Sequence, residues 1–144
     1  MKKSNFFFNV VRWIGVLPVA LLVICLGYIV CYFVFKYSLA WVAVDTSQGV
    51  WAIIDEIWTK VVATGVSFYL GIRAGAFIAP NNKFIASVVL ATILLIISLY
   101  AIYLWIMYYE IISMIIGVLS CIAGIIGLCV GCQSVKDEER RNIK

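Results

Sequence analysis

A chain of 144 residues that is 65% hydrophobic and 12% charged carries too little charge to cover a water-soluble surface, where about 25% is usual. With a mean hydropathy of +1.11, it is not a soluble enzyme, a disordered tail or a disulfide scaffold, and it points to an integral membrane protein. The net charge is +4 and histidine is absent, which removes the commonest metal ligand and near-neutral acid/base.

The N-terminus opens with Lys2 and Lys3, and Phe6, Phe7, Phe8 and Trp13 surround Arg12 like an interfacial anchor. From Ile14 to Phe35 no charge appears, so a first transmembrane helix is expected over about 13–36, with Pro18 tolerated as membrane helices allow. Ser38-Leu39-Ala40 fits a small-x-small cleavage pattern. The apolar run before it is longer than a signal-peptide core of about 7–15 residues, and Lys36 stands in front of the site, so a retained span is the reading.

Residues 37–52 read as a short, amphipathic, Trp-rich outer connection turning at Thr46-Ser47-Gln48-Gly49, with Trp41, Trp51 and Trp58 at headgroup depth. The second span covers about 53–79; its only charge in the apolar run from Val61 to Ala79 is Arg73, and Pro80-Asn81-Asn82-Lys83 closes it. No charge interrupts Phe84 to Tyr109 or Ile111 to Cys132. As one helix, Phe84 to Cys132 would run about 73 Å, more than twice the hydrocarbon core of about 30 Å. The chain must therefore reverse near Tyr108–Ile112, giving a third span over about 83–107 and a fourth over about 111–133. Residues 134–144 read as a polar cytosolic tail.

The expected fold is all-α: an integral membrane four-helix transmembrane bundle, a single domain over 1–144, N-in and C-in. That orientation places Lys2, Lys3, Arg12, Arg73, Lys83, Lys136, Arg140, Arg141 and Lys144 inside and leaves Lys36 and Lys60 outside, as the positive-inside rule demands. The basic start and short loops fit a bacterial inner (plasma) membrane, with both termini cytoplasmic. Most of the aromatic residues then lie in the outer half. They form a belt at headgroup depth or line an outer cavity, an alternative that Tyr28, Tyr32, Tyr100 and Tyr103 keep open by their depth.

In the fourth span Ser113, Gly117, Ser120, Gly124, Gly127, Gly131 and Ser134 recur at alternating spacings of four and three. Such a seam of small residues lets helix backbones approach inside a membrane. It serves packing within the bundle or contact with another chain. On the second span Thr64, Ser67, Gly71 and Gly75 share a face that Ile78 continues, and Arg73 projects about 200° from Gly71. Arg73 either snorkels to the interface or faces an inner cavity or partner. With no other charge in the uncharged runs, a desolvated Arg73 would have carbonyls, hydroxyls, water, an anion or another subunit as its partners.

Cys129 and Cys132 form a CxxC at the end of the fourth span. Membrane thiol oxidoreductases pair such a motif with a second, outward-facing cysteine pair, which this chain lacks, so the cysteines read as small apolar packers. The span serines have no histidine or intramembrane carboxylate to activate them, and no phosphate-cradling loop, metal cluster or cofactor motif is legible. A proton-coupled multidrug antiporter would need a carboxylate in its first helix, and none is there.

The expectation is a non-enzymatic membrane protein, a subunit, accessory or immunity-like protein. It would sit in the lipid bilayer and self-associate or bind a partner membrane protein through the glycine-rich fourth helix, without nucleic acid. The alternatives are an oligomeric channel or transporter in which Arg73 sets anion preference, and a thiol enzyme working through Cys129 and Cys132.

Overall fold

A computed structural model describes residues 2–41, 50–79, 83–108 and 110–142, with side-chain surroundings given within 13–38, 51–79, 83–108 and 110–141. Four helices follow in chain order: α1 (Lys2–Trp41), α2 (Val50–Ile78), α3 (Lys83–Tyr108) and α4 (Ile111–Asn142). Each contains a stretch long and apolar enough to cross a membrane. In such a stretch a helix satisfies every backbone N–H and C=O internally, the condition lipid imposes.

Helix ends and expected spans differ at three places. α1 continues as helix through the aromatic anchor at its start and on to Trp41, so the interfacial residues extend the span. α2 begins at Val50, which puts Trp51 and Trp58 on the helix; Asp45 and the expected Thr46–Gly49 turn lie outside the described residues. The polar tail is not an irregular extension: α4 runs unbroken to Asn142. No Gly or Pro interrupts it after Gly131, and Arg140 and Arg141 in its last turn complement the helix dipole. The expected reversal falls between Tyr108 and Ile111, where α3 ends and α4 starts with Met114 N–H donating to the Glu110 carbonyl at 2.8 Å.

α2 is the central helix and packs against the other three, whereas α1 packs chiefly on α2. The buried cluster of Ala20, Ile72, Ala76, Leu90, Leu94, Leu128 and Val135 takes residues from every helix, and Val16, Ala79 and Ala86 form a second one beside it. Both lie toward the terminal end, where α1 begins, α2 gives way to α3 and α4 finishes. Buried hydroxyls satisfy themselves locally: Thr59 donates to the Asp55 carbonyl at 2.6 Å, Ser87 to Phe84 at 2.7 Å and Ser98 to Leu94 at 2.9 Å. This back-bonding lets a polar side chain sit in an apolar interface.

Candidate functional site

Two small-residue stripes on α2 position everything else. Asp55, Thr59, Ala63, Ser67, Gly71 and Gly75 recur every fourth residue, and all six are buried. Most of this stripe faces α1: a Cβ on Gly71 would collide with Ile24, and Gly27 lies against Ser67, while one on Gly75 would run into Leu90 of α3 at 2.7 Å and meet Ala20 of α1 at 3.5 Å. Thr64, grouped with this face on sequence grounds, belongs instead to the neighbouring stripe, where its Cγ2 lies 3.4 Å from a Cβ built on Gly124.

That neighbouring stripe receives the α4 seam. A Cβ on Gly127 would overlap the carbonyl oxygen of Gly65, and one on Gly65 would stand 3.1 Å from the Ala123 carbonyl. The two backbones touch. A Cβ on Gly124 would stand 3.0 Å from the Phe68 ring, and one on Gly131 3.0 Å from Ile72. Gly117 instead makes room for the Trp105 ring of α3, Ser120 donates to the Ile116 carbonyl at 2.9 Å, and Ser113 is partly buried in the first turns of α4. The deeper glycines of the seam therefore face α2 of the same chain, and a partner helix reaching them would have to displace it.

Arg73 points away from the α1 stripe, as its angular offset requires, and meets the extended end of α4. Its guanidinium donates to a Glu138 carboxylate oxygen at 2.9 Å and to the Tyr69 hydroxyl at 3.3 Å. The Tyr69 hydroxyl is among the partners expected for a desolvated Arg73; Glu138 was not expected, and the helical continuation of α4 carries it to a guanidinium that is 44% exposed. Arg73, Gln133, Ser134, Asp137, Glu138 and Arg141 line a hollow of about 510 Å³, with Val130 at its apolar edge. Val130 also borders a trough of about 350 Å³ between α2 and α4, walled by Val61, Val62, Val66, Ala123 and Ile126 over the Gly65–Gly127 contact. The side chains of the Arg73–Glu138 pair are 44% and 50% exposed, so its net contribution falls in the range of about 0–1 kcal/mol typical of exposed pairs. A double-mutant cycle over Arg73→Gln and Glu138→Gln, read by reversible unfolding in mixed detergent, should return a coupling of about 0.5 kcal/mol; a value of several kcal/mol would mean the pair is desolvated.

Toward the opposite end a second cavity of about 300 Å³ receives residues from all four helices, among them Tyr28, Lys60, Thr64, Ser98, Trp105 and Ser120. Lys60 is paired with Glu56 one turn earlier. Thr64, Ser98 and Ser120 each donate to a carbonyl of their own helix, so their oxygens keep only acceptor capacity. Aromatic rings follow the same half of α1: Tyr28 stacks with Tyr32 at 6.3 Å and Phe33 with Tyr37 at 6.3 Å. On α3, Tyr100 stacks with Tyr103 at 6.5 Å.

Sequence reasoning missed Asp55 as a buried group. Its side chain is 10% exposed, one oxygen lies 3.6 Å from the Lys36 ammonium of α1, and the other has no hydrogen-bond partner among the described residues. At about 100° per residue Asp55 falls in line with Arg73 and about 160° from Gly71, so helix periodicity alone did not place it among the buried residues. The five cysteines are free thiols. Cys129 is exposed, and the Cys132 thiol is turned toward the Ser87 carbonyl of α3 at 3.6 Å. Among the described residues no cluster of His, Cys, Asp or Glu could hold a metal ion. No family model, curated protein or solved structure matches the chain.

Proposed function

We propose that the chain is an integral membrane protein of four spans, with both termini on the cytoplasmic side of a bacterial plasma membrane. In this reading it works without catalysis, as a small subunit or accessory protein that associates with other membrane components. The observation that carries it is the exterior: large apolar side chains stand exposed on every helix, among them Leu22, Phe77, Ile96 and Ile126. A soluble monomer rarely exposes contiguous apolar patches beyond a few hundred Å², whereas lipid covers such a surface at no cost. Lys/Arg placement supports the orientation, because Lys83, Arg140 and Arg141 all belong to the terminal end.

The association surface in this proposal is the aromatic ladder of α1 and α3 at the opposite end, since α2 fills the deeper part of the α4 seam. Stacked tyrosines offer large rigid area with hydroxyls for hydrogen bonds. Against anion selection by Arg73 stands its pairing with Glu138, which cancels the charge a pore would use. The test combines alkaline carbonate extraction, reporter fusions at both termini, and mass measurement of the full chain in native nanodiscs. The expected result is retention in the membrane, both reporters cytoplasmic, and a defined assembly of more than one copy or of the chain with a stoichiometric companion. Tyr32→Ala with Tyr100→Ala should then break the assembly and leave insertion intact. A single copy with no companion sinks the association reading, and release by carbonate sinks the membrane reading.

A further inference from the structure

We propose that the α2–α4 groove is a binding site for one zwitterionic aminophospholipid, its headgroup in the charged hollow and one acyl chain in the apolar trough. This rests on the membrane reading. The hollow carries two cations and two anions, Arg73 and Arg141 against Asp137 and Glu138. Arg73 and Glu138 engage each other. Asp137 and Arg141 make no ion pair among the described residues, yet line the same hollow. They are four residues apart on α4, which sets their Cβ atoms about 5–6 Å apart. A group bearing a phosphate and an ammonium joined by a two-carbon link matches that arrangement: Arg141 donates in a charge-assisted pair to the phosphate, and Asp137 accepts from the ammonium. Gln133 and Ser134 add neutral polar groups beside them. A purely anionic headgroup has no cation to set against Asp137, only the neutral hydroxyl donors it happens to carry.

The trough supplies the rest of the ligand. It shares Val130 with the hollow and is lined almost wholly by apolar side chains. Gly65 and Gly127 form its floor, so the close backbone contact that joins α2 to α4 also keeps the floor free of side chains. From Tyr69 to Val61 it follows α2 for about 12 Å at 1.5 Å per residue. Its apolar lining suits a hydrocarbon chain. The order along the groove is the order of a lipid: Arg73 lies five residues before the end of α2, so the charged hollow is at the helix ends and the trough leads from it toward the middle of the bundle.

The experiment uses the full chain in detergent, mixed with palmitoyl-oleoyl phosphatidylethanolamine, phosphatidylcholine or phosphatidylglycerol, and read by native mass spectrometry during stepwise delipidation. Free phosphoethanolamine is the chain-less probe. The expected result is one phosphatidylethanolamine retained about tenfold better than phosphatidylcholine, which lacks N–H donors, or phosphatidylglycerol, which lacks the amine. Phosphoethanolamine alone should not be retained. The double variant Asp137→Asn/Arg141→Gln, both positions exposed on α4, should lose the preference with unchanged helical content. Val66→Phe, which fills the trough, should lower retention of all three lipids. Equal retention of the three lipids by the wild type, an unchanged preference in the double variant, or binding of phosphoethanolamine as strong as that of the lipid overturns the site. Release of the wild type from membranes by carbonate overturns the membrane reading and the site with it; retention in membranes without headgroup preference overturns the site alone.

Discussion

Gly127→Ala lowers the unfolding free energy by about 2–3 kcal/mol, the upper part of the range for overpacking, and Gly127→Leu prevents the bundle from forming. The reason is what the new Cβ meets. At Gly127 it overlaps the Gly65 carbonyl oxygen, and the Gly65 backbone cannot rotate aside as a side chain can. α2 and α4 must then separate, which also loosens Phe68 over Gly124 and Ile72 over Gly131. The control is Gly27→Ala on α1, where the nearest atom is Leu70 Cδ1 at 3.6 Å, an ordinary contact. That variant keeps the fold and gains up to about 0.5–1 kcal/mol from the better helix former. Thermal unfolding of the detergent-solubilised variants by circular dichroism separates the two. If Gly127→Ala is as stable as Gly27→Ala, the backbone contact between α2 and α4 is not what holds them.

The four helices were legible because uncharged runs of spanning length leave no other choice, and the reversal near Tyr108 followed from bilayer thickness even without a turn residue. The α4 seam was legible as a seam, since seven small residues in register are hard to obtain by accident. Its partner was not legible. A glycine stripe says that something approaches closely, and only the assembled bundle says that for Gly124, Gly127 and Gly131 the approaching helix is α2. One local signal was outweighed by hydropathy. After Ser134 the apolar pattern stops, which reads as the end of a helix, although helix-compatible charged residues continue it to Asn142 and deliver Glu138 to Arg73. Near Asp55 the density of charge and tryptophan reads as the interfacial entry of the second span, and only the packed bundle shows Asp55, Thr59, Ala63 and Ser67 buried together.

Lys36→Met destabilises the protein more than Asp55→Asn does, by about 1–3 kcal/mol, the penalty for a buried polar group left without its partner. Among the described residues, Asp55 sits in the α1-facing stripe with one oxygen unpartnered and the other facing the Lys36 ammonium 3.6 Å away, too far for a hydrogen bond of full strength. The carboxylate is thus desolvated with weak compensation, a state that costs more than it returns once the cation is removed. Methionine keeps the apolar stem of Lys36 and deletes the charge, so the loss reports electrostatics and not packing. The effect should fall toward the lower end of the range, because the Lys36 side chain is 55% exposed and water screens it. Asparagine at Asp55 keeps the shape, removes the charge and adds a donor. It should therefore be within about 1 kcal/mol of the wild type, and the double variant Lys36→Met/Asp55→Asn should recover most of what Lys36→Met loses. Chemical unfolding of the four proteins in one detergent gives the comparison directly. The reverse order, with Asp55→Asn the more damaging, would mean that the charge of Asp55 is held by something other than Lys36, and that the contact between the end of α1 and the start of α2 is built around that group.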